Sequence, residues 1–139
     1  MALSEQLRKP LKACSVSELE ALAAEIRETV IQTVETNGGH LSPNLGMVEL
    51  TLALYFAFDF PADKLLFDVG HQSYVHKIIS DRAERFSTLR KKGGISGFPS
   101  PEESAYDAFV AGHAGNSLAA GLGFAKARDL AGEDYRIVT

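Results

Sequence analysis

The chain has 139 residues, 45% of them hydrophobic and 23% charged, which is the balance of a folded domain with one core. Fourteen Lys and Arg against 18 Asp and Glu leave a net charge of −4, and the only basic block is Arg90-Lys91-Lys92, so the broad basic surface that nucleic acid requires is excluded. One cysteine, Cys14, excludes an internal disulfide and a cysteine-based metal cage and fits a reducing, cytoplasmic compartment; no apolar run is long enough to export the chain or anchor it in a membrane.

Residues 1–14 read as an arm lying on a larger body made of residues 15–139. Ser15-Val16-Ser17-Glu18 has the form of a capping box, with Glu18 three positions after Ser15, and opens a helix over 15–37. Leu19, Leu22, Ala23, Ile26, Val30 and Val34 recur at steps of three and four and give it one buried face; Gly38-Gly39 ends it. Met47 to Phe58 is apolar nearly all round, which predicts a helix buried on most sides. Lys64 to Val69 is a short apolar run suited to a buried parallel strand ending at Gly70-His71. Residues 72–92 read as two short helices, the second opening at Asp81 and closed by Gly93-Gly94. Residues 93–112, rich in Gly, Ser and Pro, form a long loop, and a loop of this length is functional or disordered. Asn116 to Leu130 predicts a helix whose small residues (Ala119, Ala120, Gly123, Ala127) admit a close neighbour, and a second strand starts at Tyr135. The alternation of helix and strand argues for an α/β layer fold with a mostly parallel sheet.

Three of the four histidines directly follow glycine: His40, His71 and His113. Glycine permits left-handed turns, so each pair aims an imidazole from a tight turn at the end of an element, where sites are built. His71 is placed best, since parallel sheets bind ligands beyond the carboxyl ends of their strands. The alternative for each is a ring that caps a carbonyl or packs on a neighbour, and for His40 and His113 the two readings stand level. His76 falls within a helix, where a surface or half-buried role is expected. A zinc site built on the three imidazoles is a competing use, with Asp68, Asp107 and Glu49 as further carboxylates, but the spacing matches no short ligand motif. Cys14 lies in the arm and no Gly-x-Ser-x-Gly elbow occurs, so nucleophilic catalysis has little support. The glycines around 112–123 follow no strand, which argues against a dinucleotide loop.

Four segments in order, Gly38 to Thr51, Phe67 to Lys77, Gly93 to Pro99 and Tyr106 to Ala114, resemble the signatures of the 1-deoxy-D-xylulose-5-phosphate synthases over residues 12–139. The resemblance implies a fold class of α/β type: part of a transketolase-like, thiamine-diphosphate-binding domain with a parallel sheet flanked by helices, incomplete within these 139 residues. It implies a homodimeric enzyme that joins pyruvate to glyceraldehyde 3-phosphate with loss of carbon dioxide, toward isoprenoid, thiamine and pyridoxal synthesis. The cofactor, thiamine diphosphate with magnesium, supplies the electron sink and the protein supplies orientation and proton transfer. Carried over by residue, His40 matches the histidine facing the reacting centre, while His71 and Gly112-His113-Ala114 match cofactor contacts near the diphosphate and thiazolium. No metal ligand falls within the chain, because the family's Gly-Asp-Gly loop and the Asn after it follow the strand that starts near Ile137.

Two departures stand out. Pro43 replaces a small residue after Ser42, removes a backbone N–H and is expected to push Ser42 out of helical geometry; Asn116 replaces a threonine. The expectation is a front segment without activity of its own, the alternatives being the first subunit of a split transketolase-like enzyme or a non-catalytic docking fragment. Two short strands cannot cover three amphipathic helices, so an isolated chain is expected to expose apolar surface and associate.

Overall fold

The computed structural model describes residues 3–139. The arm is a short helix α1 (Leu3–Gln6) followed by a 3-10 turn at Leu11–Ala13, and Leu3, Leu7 and Leu11 pack against the core. Helix α2 (Val16–Asn37) opens on the expected capping box: the Glu18 N–H donates to Ser15 Oγ at 3.3 Å, and the Ser15 N–H donates to the Glu18 carboxylate at 2.7 Å. Lys9 reaches back from the arm to the same carboxylate. Leu22, Ala23, Ile26 and Val30 form its buried face, and Gly38, at φ 75°, stops it in a conformation that glycine adopts without strain.

Pro43 lies in the first turn of a four-residue helix, α3 (Ser42–Leu45). This corrects the expectation for Ser42, which stays inside the helix. A proline here costs no bond, because a first-turn N–H has no intrahelical partner. Helix α4 (Val48–Ala57) buries Val48, Thr51 and Leu52 but leaves Leu50 and Phe56 exposed, so only one face of an apolar cylinder is covered.

The sheet is smaller than expected. Strand β1 (Lys64–Leu65) pairs in parallel with β2 (Ile137–Val138), Lys64 opposite Ile137 and Leu65 opposite Val138; the Lys64 N–H donates to the Arg136 carbonyl and the Leu66 N–H to the Val138 carbonyl. The predicted break at Asp81 is also absent: α5 (Tyr74–Lys77) runs directly into a π-helical turn at Ile78–Arg82 and a 3-10 segment at Ala83–Thr88. Changes of winding of this kind re-aim side chains. Residues 93–112 hold no regular element. Helix α6 (Ser117–Ala131) ends at left-handed Gly132 and approaches β2 at Gly121, where an added Cβ would stand 2.6 Å from Thr139. Of the small residues expected to admit a neighbour, Ala119, Gly123 and Ala127 are exposed and Ala120 is half-buried.

The hydrophobic centre lies between helices. Ile26, Val30, Val48, Leu52, Tyr74, Val75, Ile78, Phe86, Leu89 and Ile95 form one cluster, each fully buried aliphatic or aromatic side chain contributing roughly 1.5–3 kcal/mol. The two-stranded sheet sits beside this cluster. The whole is a mixed helical structure with a small parallel sheet, compatible with part of an α/β domain. Among the described residues no helix is long and apolar enough to cross a membrane.

Candidate functional site

The Gly39-His40 and Gly70-His71 turns meet. Gly39 has φ 142°, and a Cβ there would lie 2.7 Å from the Tyr74 hydroxyl, which accepts the His40 N–H at 3.3 Å. The second turn is tighter. The Gly70 N–H donates to the Asp68 carbonyl at 2.6 Å around Val69 at φ 60°, a γ-turn of the rare positive-φ kind, unusual for a β-branched residue. Gly70 continues at φ 85° beneath Pro99 and Ala111, with no room for a Cβ. The imidazoles of His40 and His71 stand edge to face with centroids 5.3 Å apart, and the Phe98 ring lies 6.2 Å from that of His40.

Asn44, fully buried, joins the two turns. Its Nδ2 donates to the His40 carbonyl at 2.7 Å and to the His71 carbonyl at 2.8 Å, and its Oδ1 accepts the Tyr74 N–H at 2.8 Å. That last bond caps α5, whose own N-cap residue Ser73 makes no side-chain cap. One amide therefore sets the spacing of two histidines and starts a helix.

Burial pushes the His40 imidazole below its usual pKa, and the neighbouring charges of His71 and Arg90 act in the same direction. The Nδ1 atoms of both His40 and His71 are buried without a hydrogen-bond partner. Two buried ring nitrogens thus keep unused bonding capacity. Arg90 acts on His40 by its charge, its backbone in a left-handed conformation at φ 61° and its side chain against Gly97.

His113 is exposed and is not brought against the other two rings. Its turn is nevertheless tied to the site, because the Gly115 N–H donates to Asp68 Oδ1 at 2.8 Å. Gly112 and Ala114 are exposed in the same turn, and the buried Asn116 Oδ1 lacks a partner.

His76 departs from the expectation of a surface or half-buried residue: it is only 1% exposed. Its Nδ1 lies 2.9 Å from the Tyr55 hydroxyl and its Nε2 2.7 Å from Asp107 Oδ1. Lys77, Arg82, Glu103 and Asp107 join it in a buried ionic cluster. The sequence reading missed this cluster, although His76, Lys77 and Arg82 among the apolar residues of 74–86 and two carboxylates four residues apart in a loop were the available signal. Asp68, Asp107 and Glu49 do not converge: Glu49 pairs with Arg27, Asp107 with Arg82, and no group of three metal-ligating side chains occurs among the described residues.

A family model described as 1-deoxy-D-xylulose-5-phosphate synthase matches residues 4–139. The chain belongs to that family. It is similar to the 1-deoxy-D-xylulose-5-phosphate synthase of Dictyoglomus thermophilum, 62% identical over 130 residues, or 94% of this chain and 21% of the relative. The synthase of Symbiobacterium thermophilum is 59% identical over 92% of this chain and 20% of its own length, and 1-deoxy-D-xylulose-5-phosphate synthase 1 of Geobacter metallireducens is 54% identical over 99% and 22%. The chain thus spans about a fifth of the length of the curated synthases it matches.

For a synthase-family segment, the chemistry on offer is that of imidazoles: hydrogen bonds to a polar or anionic ligand, and proton exchange near neutral pH. The unpartnered Nδ1 atoms of His40 and His71 fit a thiamine-type cofactor, which carries both ring nitrogens and a diphosphate. Glu49 and Asp107 are paired with arginines, and among the described residues no three metal-ligating side chains converge.

Proposed function

We propose that this chain is the front of a 1-deoxy-D-xylulose-5-phosphate synthase, an arm (1–14) followed by the first part of a thiamine-diphosphate-binding domain (15–139), and that its Gly-His turns line the cofactor site. The observation that carries the reading is the His40–His71 pair, stitched by Asn44 and holding two buried, partnerless ring nitrogens. His71 and the Gly112-His113-Ala114 turn hold the cofactor, the latter positioned by Asp68. His40, kept neutral by burial, exchanges protons with the pyruvate-derived substrate. Phe98 covers one side of His40 and excludes water there. Thiamine diphosphate, when bound, supplies the electron sink for decarboxylation and carbon–carbon bond formation.

The complete protein, in this reading, is a homodimeric cytoplasmic enzyme that condenses pyruvate with glyceraldehyde 3-phosphate and releases carbon dioxide. Its magnesium takes ligands outside these 139 residues, and the segment by itself is inactive.

The test replaces the matching 130 residues of the Dictyoglomus thermophilum synthase with this chain and measures carbon dioxide released from pyruvate in the presence of glyceraldehyde 3-phosphate. Activity is expected, and His40→Asn lowers kcat by about 10²-fold or more, the usual contribution of a proton-transfer group. A folded, cofactor-loaded chimera without activity, or a His40→Asn chimera as fast as its parent, overturns the reading.

A further inference from the structure

The ionic cluster at His76 has no part in the proton and cofactor contacts proposed above, yet it is one of the most costly features of the molecule. Lys77, Arg82 and Asp107 are each at most 2% exposed, and charges removed from water to this degree rarely raise net stability. The hydrogen bonds show what they hold. Asp107 Oδ2 accepts Arg82 Nη1 at 2.7 Å and the Ser100 N–H at 2.8 Å; Oδ1 accepts Arg82 Nη2 at 2.9 Å and His76 Nε2 at 2.7 Å. His76 therefore donates from Nε2 and accepts the Tyr55 hydroxyl at Nδ1, a neutral tautomer. Glu103 Oε2 accepts Lys77 Nζ and Arg82 Nη1, and its Oε1 accepts the Ser96 N–H at 2.6 Å. Two cations thus meet two carboxylates, and the backbone groups those carboxylates grip are the amides of Ser96 and Ser100.

Those amides flank Gly97-Phe98-Pro99. Phe98 is the ring beside His40, and Pro99 Cδ fills the space where a Cβ of Gly70 would be. Lys77 and Arg82 come from α5 and the π turn that continues it, which follow His71 directly. Arg82, the last residue of the π turn, meets Asp107 with both terminal guanidinium nitrogens engaged, a bidentate geometry that lysine cannot reproduce.

We infer that Glu103 and Asp107, gripped by Lys77 and Arg82, are positioning residues that clamp the two ends of Gly97-Phe98-Pro99 and so press Phe98 onto His40 and Pro99 onto the Gly70-His71 turn. The clamp is a statement about the geometry of the histidine pair; only its consequence for turnover rests on His40 being the proton carrier. The charged groups facing His40 are His71 and Arg90, neither of which belongs to the cluster, so a change at Glu103 reaches His40 through the placement of Phe98.

The experiment follows two readouts by NMR in the 139-residue chain carrying Leu118→Glu and Leu122→Glu, two exposed positions on α6 away from the cluster, to keep it monomeric: amide exchange at Ser96 and Ser100, and the titration midpoint of His40. In Glu103→Ala the Ser96 amide exchanges at least about tenfold faster, and the His40 midpoint rises toward 6.5 as its cover is lost. Phe98→Ala, which leaves the ionic cluster intact, gives the same rise with Ser96 exchange unchanged. An unaltered Ser96 amide in a folded Glu103→Ala chain overturns the clamp. If Glu103→Ala loses its helical circular dichroism, Phe98→Ala decides: an unmoved His40 midpoint overturns the proposal. In the chimera, Glu103→Ala moves the acid limb of the kcat profile with His40; a wild-type chimera that is inert while both NMR results hold sinks the functional reading and leaves the clamp standing.

Discussion

Replacing Asn44 by alanine tests the central joint of the site. The side chain makes three bonds with no solvent access, to the carbonyls of His40 and His71 and to the N–H of Tyr74. Alanine leaves all three backbone groups without their partner. A buried polar group left unpaired costs about 1–3 kcal/mol, so the three together lose on the order of 3 kcal/mol even if some relax. At 1.36 kcal/mol per factor of ten, that corresponds to a local opening roughly two orders of magnitude more frequent. Hydrogen exchange of the Tyr74 amide reads this directly, since Asn44 Oδ1 is its acceptor. Asn44→Asp should be worse than alanine, because a carboxylate then faces two carbonyl oxygens. The reasoning fails if Asn44→Ala changes Tyr74 exchange by less than about fivefold and leaves the His40 and His71 resonances unmoved.

Val69→Gly should be between neutral and about 2 kcal/mol stabilising, since relief of positive-φ strain worth about 1–3 kcal/mol exceeds the extra unfolded-state entropy of glycine; a urea midpoint corresponding to more than about 1 kcal/mol of loss would show the turn to be unstrained. Gly70→Ala should cost about 3 kcal/mol in the same assay, because φ 85° is unfavourable for alanine and its Cβ would meet Pro99 and Ala111, and a loss under about 1 kcal/mol contradicts that packing. Burial holds His76 below its ordinary pKa of 6.5 despite the Asp107 contact. Its stabilising contribution is therefore present above pH 6.5 and lost as pH falls toward the depressed folded value. Thermal melts at pH 7.5 and 5.5 should show that loss, His76→Gln should reduce it, and a loss on raising the pH instead would mean that His76 is protonated. Leu118, Leu122 and Leu130 on α6 are 75%, 73% and 76% exposed, so the purified chain should elute from size-exclusion columns as oligomers, shifting toward monomer with Leu118→Glu and Leu122→Glu; a wild-type monomer with one sharp unfolding transition refutes this.

Local signals in the sequence carried the helices well. The Ser15–Glu18 box and the stepped apolar face from Leu22 to Val30 depend on neighbours three and four residues away, and α2 follows them closely. The strand over Lys64 to Val69 was over-read because an apolar run measures burial, whereas strand length is set by pairing, and only Lys64–Leu65 pair. The Gly-His turns were visible as pairs, and two of the three meet. That Asn44 would join them was not, because an asparagine in a Ser-Pro-Asn loop suggests a local turn and its acceptors lie as far away as His71. His76 was misjudged for a related reason: its burial depends on Asp107, 31 residues further on, inside a loop whose composition gives no sign of a fixed conformation.

The hydrophobic cluster closes with Ile95, and the carboxylates that pin the loop end at Asp107. Neither needs α6 or β2. A ribosome that has released only the first hundred or so residues has therefore already delivered every side chain of this cluster, the histidine pair and the amide between them. The parallel sheet, which in an α/β protein is commonly regarded as the frame on which loops are hung, needs β2 and so pairs only after those side chains have been made, beside a helix that touches β2 through Gly121.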